Sequence, residues 1–110
     1  MKSIAKLLTD MLEAIESIEA HQVSSFEAFL LDEKTQDAVM YNLIILGEAA
    51  NKVPNEFHDA HPELPWAAMI GTRNVIVHGY DQIKLHIVWD ILTKELSKLK
   101  QLLKELLSVL

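Results

Sequence analysis

The stretch Trp66-Ala-Ala-Met-Ile-Gly-Thr-Arg-Asn-Val-Ile-Val-His78 decides whether this chain is all-α or mixed. Its run Val75-Ile76-Val77 is β-branched and suits a strand. A lone strand finds no pairing partner, and the segments on both sides read as helices. Helix is therefore the better assignment for 66–78. Pro65 suits its first helical position and Gly79 its C-terminal stop.

Downstream, Asp81 is placed to cap a last helix. Leu85, Val88, Leu92, Leu96, Leu99, Leu103, Leu106 and Leu110 recur every three or four residues, a near-heptad seam. At 1.5 Å per residue that helix spans roughly 40 Å. Ile87, Ile91, Leu102 and Leu107 widen the stripe, so one neighbour is too few to cover it. Upstream, residues 54–65 hold all 3 prolines and read as a loop with one helical turn. Before that loop, Asp32 caps a helix running to about Lys52, with Val39, Leu43, Ile45, Leu46, Ala49, Ala50 and Val53 on a wide apolar face. Its small residues Gly47, Ala49 and Ala50 allow a neighbouring backbone to come close. Ser24 and Glu27 have capping-box spacing for a short helix carrying Phe26, Phe29, Leu30 and Leu31, after a turn at His21–Ser24. At the start, Ile4, Leu7, Leu8, Met11, Leu12, Ile15 and Ile18 form one amphipathic stripe. The expected fold is an all-α, up-and-down bundle of four to six helices forming a single domain over residues 1–110.

Composition narrows the function. At 110 residues, 50% hydrophobic and 24% charged, the chain can bury one core and is not disordered. With 0 Cys it has no disulfide, thiolate nucleophile or cysteine-ligated zinc. No uncharged apolar run is long enough to span a membrane, and Asp10 and Glu13 interrupt the run a signal peptide requires. A cytoplasmic location is the expectation. The net charge of −6 disfavours broad electrostatic capture of nucleic acid. Charge is uneven: residues 1–81 carry 13 acids against 5 bases, residues 82–110 3 acids against 5 bases.

Arg73 is the chain's single arginine. It opens Arg73-Asn-Val-Ile-Val-His78-Gly79-Tyr80, which gathers four groups suited to phosphate chemistry. A guanidinium binds phosphate through a fork of donors, an imidazole exchanges protons near neutral pH, and Asn74 can orient either. On an ideal helix Asn74 and His78 share a face, but Arg73 and His78 stand about 140° apart. From spacing alone the commoner arrangement is an Arg paired with an acid and a His closing its own helix end. Glu48, a carboxylate on a mostly apolar helix, is either paired with Arg73 or a Lys, or functional. His58, His61 and Glu63 have metal-like types, but they sit in a proline-rich loop without a third strong ligand, and a solvated loop is favoured. Lys94, Lys98, Lys100 and Lys104 read as a solvated helix face. No phosphate-binding glycine loop or nucleophile elbow is present.

These blocks together resemble the HepT-like toxins, a branch of the HEPN superfamily of small helical proteins. The resemblance rests on Asp32-Glu-Lys-Thr-Gln-Asp37, on Asn42 with Gly47-Glu-Ala-Ala50, on His61-Pro-Glu-Leu-Pro-Trp66, and above all on Arg73, four residues, His78, one residue, Tyr80. It implies a homodimer whose two motifs line a shared cleft, and the toxin of a type VII-like toxin–antitoxin pair. The activity implied is metal-independent RNA cleavage, with no cofactor and no action on DNA. Carried over, His78 would be the acid or base on the ribose 2′-hydroxyl, Arg73 would stabilise the phosphoryl charge, and Asn74 would orient one of them, with Glu48 supporting. The resemblance further implies a minimal nucleotidyltransferase antitoxin that moves AMP from ATP onto Tyr80. The alternative is a non-catalytic, nucleotide- or partner-binding helical dimer.

Overall fold

The computed structural model describes residues 2–21 and 23–110. They form α1 (Ile4–Glu19), α2 (Phe26–Leu30), α3 (Glu33–Lys52), α4 (Asn55–Ala60) and α5 (Trp66–His78). A 3₁₀ turn (Tyr80–Gln82) then leads to α6 (Leu85–Asp90), a π-helical turn (Ile91–Glu95) and α7 (Leu96–Ser108). No strand occurs among the described residues, so the fold is all-α. The β-branched run 75–77 lies inside α5.

The central helix is α3. Asp32 caps it, its carboxylate accepting from the Thr35 amide at 3.1 Å and the Thr35 hydroxyl at 2.7 Å. One flank packs on α1 and the other on α5, while α7 packs on α1. The core lies between these layers, with Leu8, Met11, Ile15, Val39, Ala50 and Leu103 fully enclosed. Gly47 sets the α3–α5 spacing. A Cβ there would collide with the Arg73 Cβ and lie 2.7 Å from the Met69 carbonyl oxygen. The small residues of α3 thus do what their size suggests: they admit the backbone of α5.

The connection 53–65 turns α5 back antiparallel to α3. Val53 and Leu64 anchor it in the core. His58 donates from Nε2 to the Ala50 carbonyl at 2.9 Å and stacks on Trp66, with ring centroids 4.3 Å apart. Trp66 donates from Nε1 to the His61 carbonyl at 2.9 Å. The C-terminal end of α3 is thereby clipped to the N-terminal end of α5.

Several local expectations need correction. Ser25, not Ser24, caps α2, its hydroxyl accepting from the Ala28 amide at 3.1 Å. The expected turn at His21–Ser24 includes Gln22, which lies outside the described residues. Pro65 is the residue before α5 rather than its first turn, because its ψ of 66° is not helical. Asp81 does not cap the last helix. It sits within the 3₁₀ turn, and α6 begins four residues later, after Lys84. The last helix is also not one heptad rod. The π-helical turn adds one residue to its winding and shifts the stripe. Val88 is buried before the turn and Leu96, Leu99, Leu103 and Leu106 after it, whereas Leu92 is only partly buried and Leu110 is 61% exposed.

Candidate functional site

Arg73 sits in the middle of α5, on the side facing Gly47. Its side chain lies across the space left by the missing Cβ and turns outward to α3. There Nη2 donates to the Glu48 carboxylate at 3.2 Å and Nη1 to the Asn74 side-chain oxygen at 3.1 Å. The Nε–H is buried and finds no acceptor among the described residues. A guanidinium has five N–H donors. With two engaged and Nε enclosed, two Nη–H donors remain for an incoming anion. Glu48 is half exposed, so its bond to Arg73 orients the fork more than it adds stability.

Glu48, Asn51, Lys52, Ile70, Arg73 and Asn74 line an open polar cleft of about 280 Å³ between α3 and α5. Of the residues singled out by sequence, the fold brings Arg73, Asn74 and Glu48 together here. Neither His78 nor Tyr80 lines this cleft. His78 ends α5, exposed, and its ring makes no hydrogen bond among the described residues. It does not close its own helix. That role is taken elsewhere by His21, whose Nδ1 meets the Ser17 carbonyl at the end of α1. Tyr80 opens the 3₁₀ turn and is 76% exposed. Within this chain, then, the guanidinium and the imidazole do not share a cleft, in keeping with their angle on the helix.

The sequence did not single out Asn51 and Lys52. The signal was available: Lys52 lies one helical turn after Glu48, on the same face of α3. Several of the other candidates have structural partners. His58 and His61 belong to the α3–α5 clip, His61 reaching Glu63 at 3.2 Å. Lys94 pairs with Asp90 and Lys100 with Glu19. An apolar groove runs between α5 and the α6–α7 rod, lined by Thr72, Val75, Ile83, Ile87 and Ile91. It contains none of the singled-out polar groups. Among the described residues no helix is long and apolar enough to cross a membrane.

Comparison with known proteins gives the family. The HepT-like ribonuclease family matches residues 11–106. A protein named "Probable ribonuclease HepT" from Thermococcus cleftensis is 40% identical over 84% of this chain and 86% of its own. Two proteins whose names class them provisionally as RNases are also similar. One, from Methanocaldococcus jannaschii, is 31% identical over 96% of this chain and 91% of its own. The other, from Caldanaerobacter subterraneus, is 33% identical over 97% and 96%. No solved structure matches. The chain belongs to the HepT-like ribonuclease family.

Proposed function

We propose that this protein is a metal-independent endoribonuclease toxin acting through Arg73, Asn74 and His78. The observation that carries this reading is Arg73, which keeps two donors for an anion at the edge of an open cleft while His78 stands uncovered five residues on. In the reaction, a 2′-hydroxyl loses its proton to an imidazole and its oxygen attacks the adjacent phosphorus. The 5′-oxygen leaves, taking up a proton, and a 2′,3′-cyclic phosphate end remains. Arg73 stabilises charge on the non-bridging oxygens, and Asn74 with Glu48 holds the fork in place. DNA lacks the attacking hydroxyl and is not cut.

A second copy of the chain answers the separation of Arg73 from His78. Tyr41 lies seven residues before Glu48 and Val77 four after Arg73, so both share the faces that flank the cleft. Both are exposed apolar residues, 64% and 39% respectively. We assign this face to a homodimer in which His78 of one protomer works beside Arg73 of the other. The exposure of Tyr80 supports its role as AMP acceptor. Its phenolic oxygen would attack the α-phosphate of ATP on a minimal nucleotidyltransferase antitoxin, with pyrophosphate leaving. The added phosphate would compete with RNA for Arg73.

The test is cleavage of RNA by purified protein in excess chelator. Cyclic-phosphate ends are expected, with loss of at least about 100-fold in kcat for Arg73→Ala and for His78→Ala. Mixing the two variants should restore part of the activity, because a mixed dimer holds one intact Arg–His pair. The separation of Arg73 from His78 within a protomer favours one other reading, a non-catalytic dimer that docks a nucleotide or a partner. Intact RNA in every preparation, with partner binding lost in both variants, would establish that reading instead.

A further inference from the structure

Lys52 lies where a helical ion pair would be natural, one turn after Glu48. Glu48 instead turns its carboxylate to Arg73, and Lys52 has no ion-pair partner among the described residues. Lys34, Lys84, Lys98 and Lys104 are likewise without such a partner, but of these five lysines only Lys52 borders the Arg73 cleft. The sign of the cleft depends on it. Glu48 cancels Arg73, so without Lys52 the cleft is neutral on a chain of net charge −6, and with it the cleft is positive. A polyanion approaching an acidic surface needs that local charge.

The position is also directional. α3 and α5 are antiparallel, so the C-terminal turn of α3 lies toward the N-terminal half of α5, beside Ile70. Lys52 is therefore beyond Arg73 on the side away from His78. Four residues of helix place it about 6 Å along α3 from Glu48. Asn51 supplies an amide at the same end of the cleft.

We propose that Lys52, assisted by Asn51, is a second phosphate-binding position, holding the RNA phosphate adjacent to the one on Arg73, at the end of the cleft away from the same protomer's His78. The proposal rests on the RNA-cleaving reading and extends the RNA contact one phosphate beyond Arg73. The competing role for Lys52 is simple complementation of the negative end of α3, which would leave RNA binding untouched.

The experiment follows binding of a short fluorescent 2′-O-methyl RNA, which cannot be cut, by fluorescence anisotropy over a range of salt concentrations. Wild type, Lys52→Ala, Lys52→Arg and the distant surface change Lys104→Ala are compared. The slope of log Kd against log salt should become shallower by about 0.7 for each Lys52 engaged, and Kd at about 100 mM salt should rise roughly 3- to 10-fold in Lys52→Ala. Lys52→Arg should restore both, and Lys104→Ala should overlay wild type. An unchanged slope in Lys52→Ala overturns the proposal. Parallel cleavage of unmodified RNA keeps the two ideas separate. Cleavage with an unchanged slope leaves the ribonuclease reading standing and removes Lys52 from it. A reduced slope without wild-type cleavage keeps the phosphate position and removes the chemistry.

Discussion

Gly47 governs both packing and the site. A Cβ at this position meets the Arg73 Cβ and the Met69 carbonyl oxygen, and neither is the free end of a flexible side chain. Gly47→Ala should therefore cost about 1–3 kcal/mol, the range for overpacking. Thermal unfolding would show it as a drop of about 4–8 °C per kcal/mol for a domain near this size. A variant that melts like wild type would mean that α5 can move away freely. Two carboxyls contribute stability that is lost in acid. Asp32 is held below its ordinary value near 3.8 by the Thr35 hydroxyl and then the Thr35 amide; Asp10 is lowered by hydrogen bonds from Lys2 and Lys6. A carboxyl lowered on folding adds stability above its unfolded value and loses it as pH falls through the folded one. Melting temperature should be level above about pH 5 and fall below about pH 4, with a smaller fall in Asp32→Asn. At this scale the sequence was informative about identity and less so about geometry. The pairing of Glu48 with Arg73 could be named as an option, because an acid on an apolar helix needs a cation. Spacing puts Lys52 on the face of Glu48, but it does not say that Glu48 turns to Arg73 and leaves Lys52 without an ion-pair partner among the described residues.

Among the elements, α2 and the C-terminal rod show where helical patterning is sufficient and where it is not. Asp32 before α3 and Gly79 after α5 were readable because each has one strong local signal. Ser24 and Ser25 are adjacent hydroxyls, and only backbone geometry chooses between them. Ser25 is extended, with φ −156° and ψ 163°, and accepts from Ala28. Ser25→Ala should cost about 0.5–2 kcal/mol, whereas Ser24→Ala should be near neutral. Urea unfolding of both variants decides this, and equal costs would contradict the cap. The rod's spacing of three and four fits a continuous helix so well that the π-helical turn leaves no mark in the sequence. Its cause is tertiary. Before the turn α6 packs on α2, and after it α7 packs on α1. The stripe must rotate to meet a different neighbour, and one extra residue in the turn provides that rotation.

At the scale of the whole molecule, α7 closes the bundle over α1. Leu103 is fully enclosed there, and Leu103→Ala should cost about 2–5 kcal/mol through lost burial and the cavity left behind. A loss near zero would mean that the rod is not docked on α1 in solution. The open apolar groove beside α5 was outside the reach of sequence patterning, which identifies apolar faces but not which of them stay uncovered. The two tryptophans of the chain fall on different joints. Trp66 lies flat on His58, where the ends of α3 and α5 are clipped together, and Trp89 sits 5.6 Å from Phe29 and 6.2 Å from Phe26, where α2 meets α6. One fluorophore thus sits at the clip between α3 and α5, and another at the joint between α2 and α6. Replacing either with Phe leaves a single emitter, so loosening at one joint can be timed without a signal from the other.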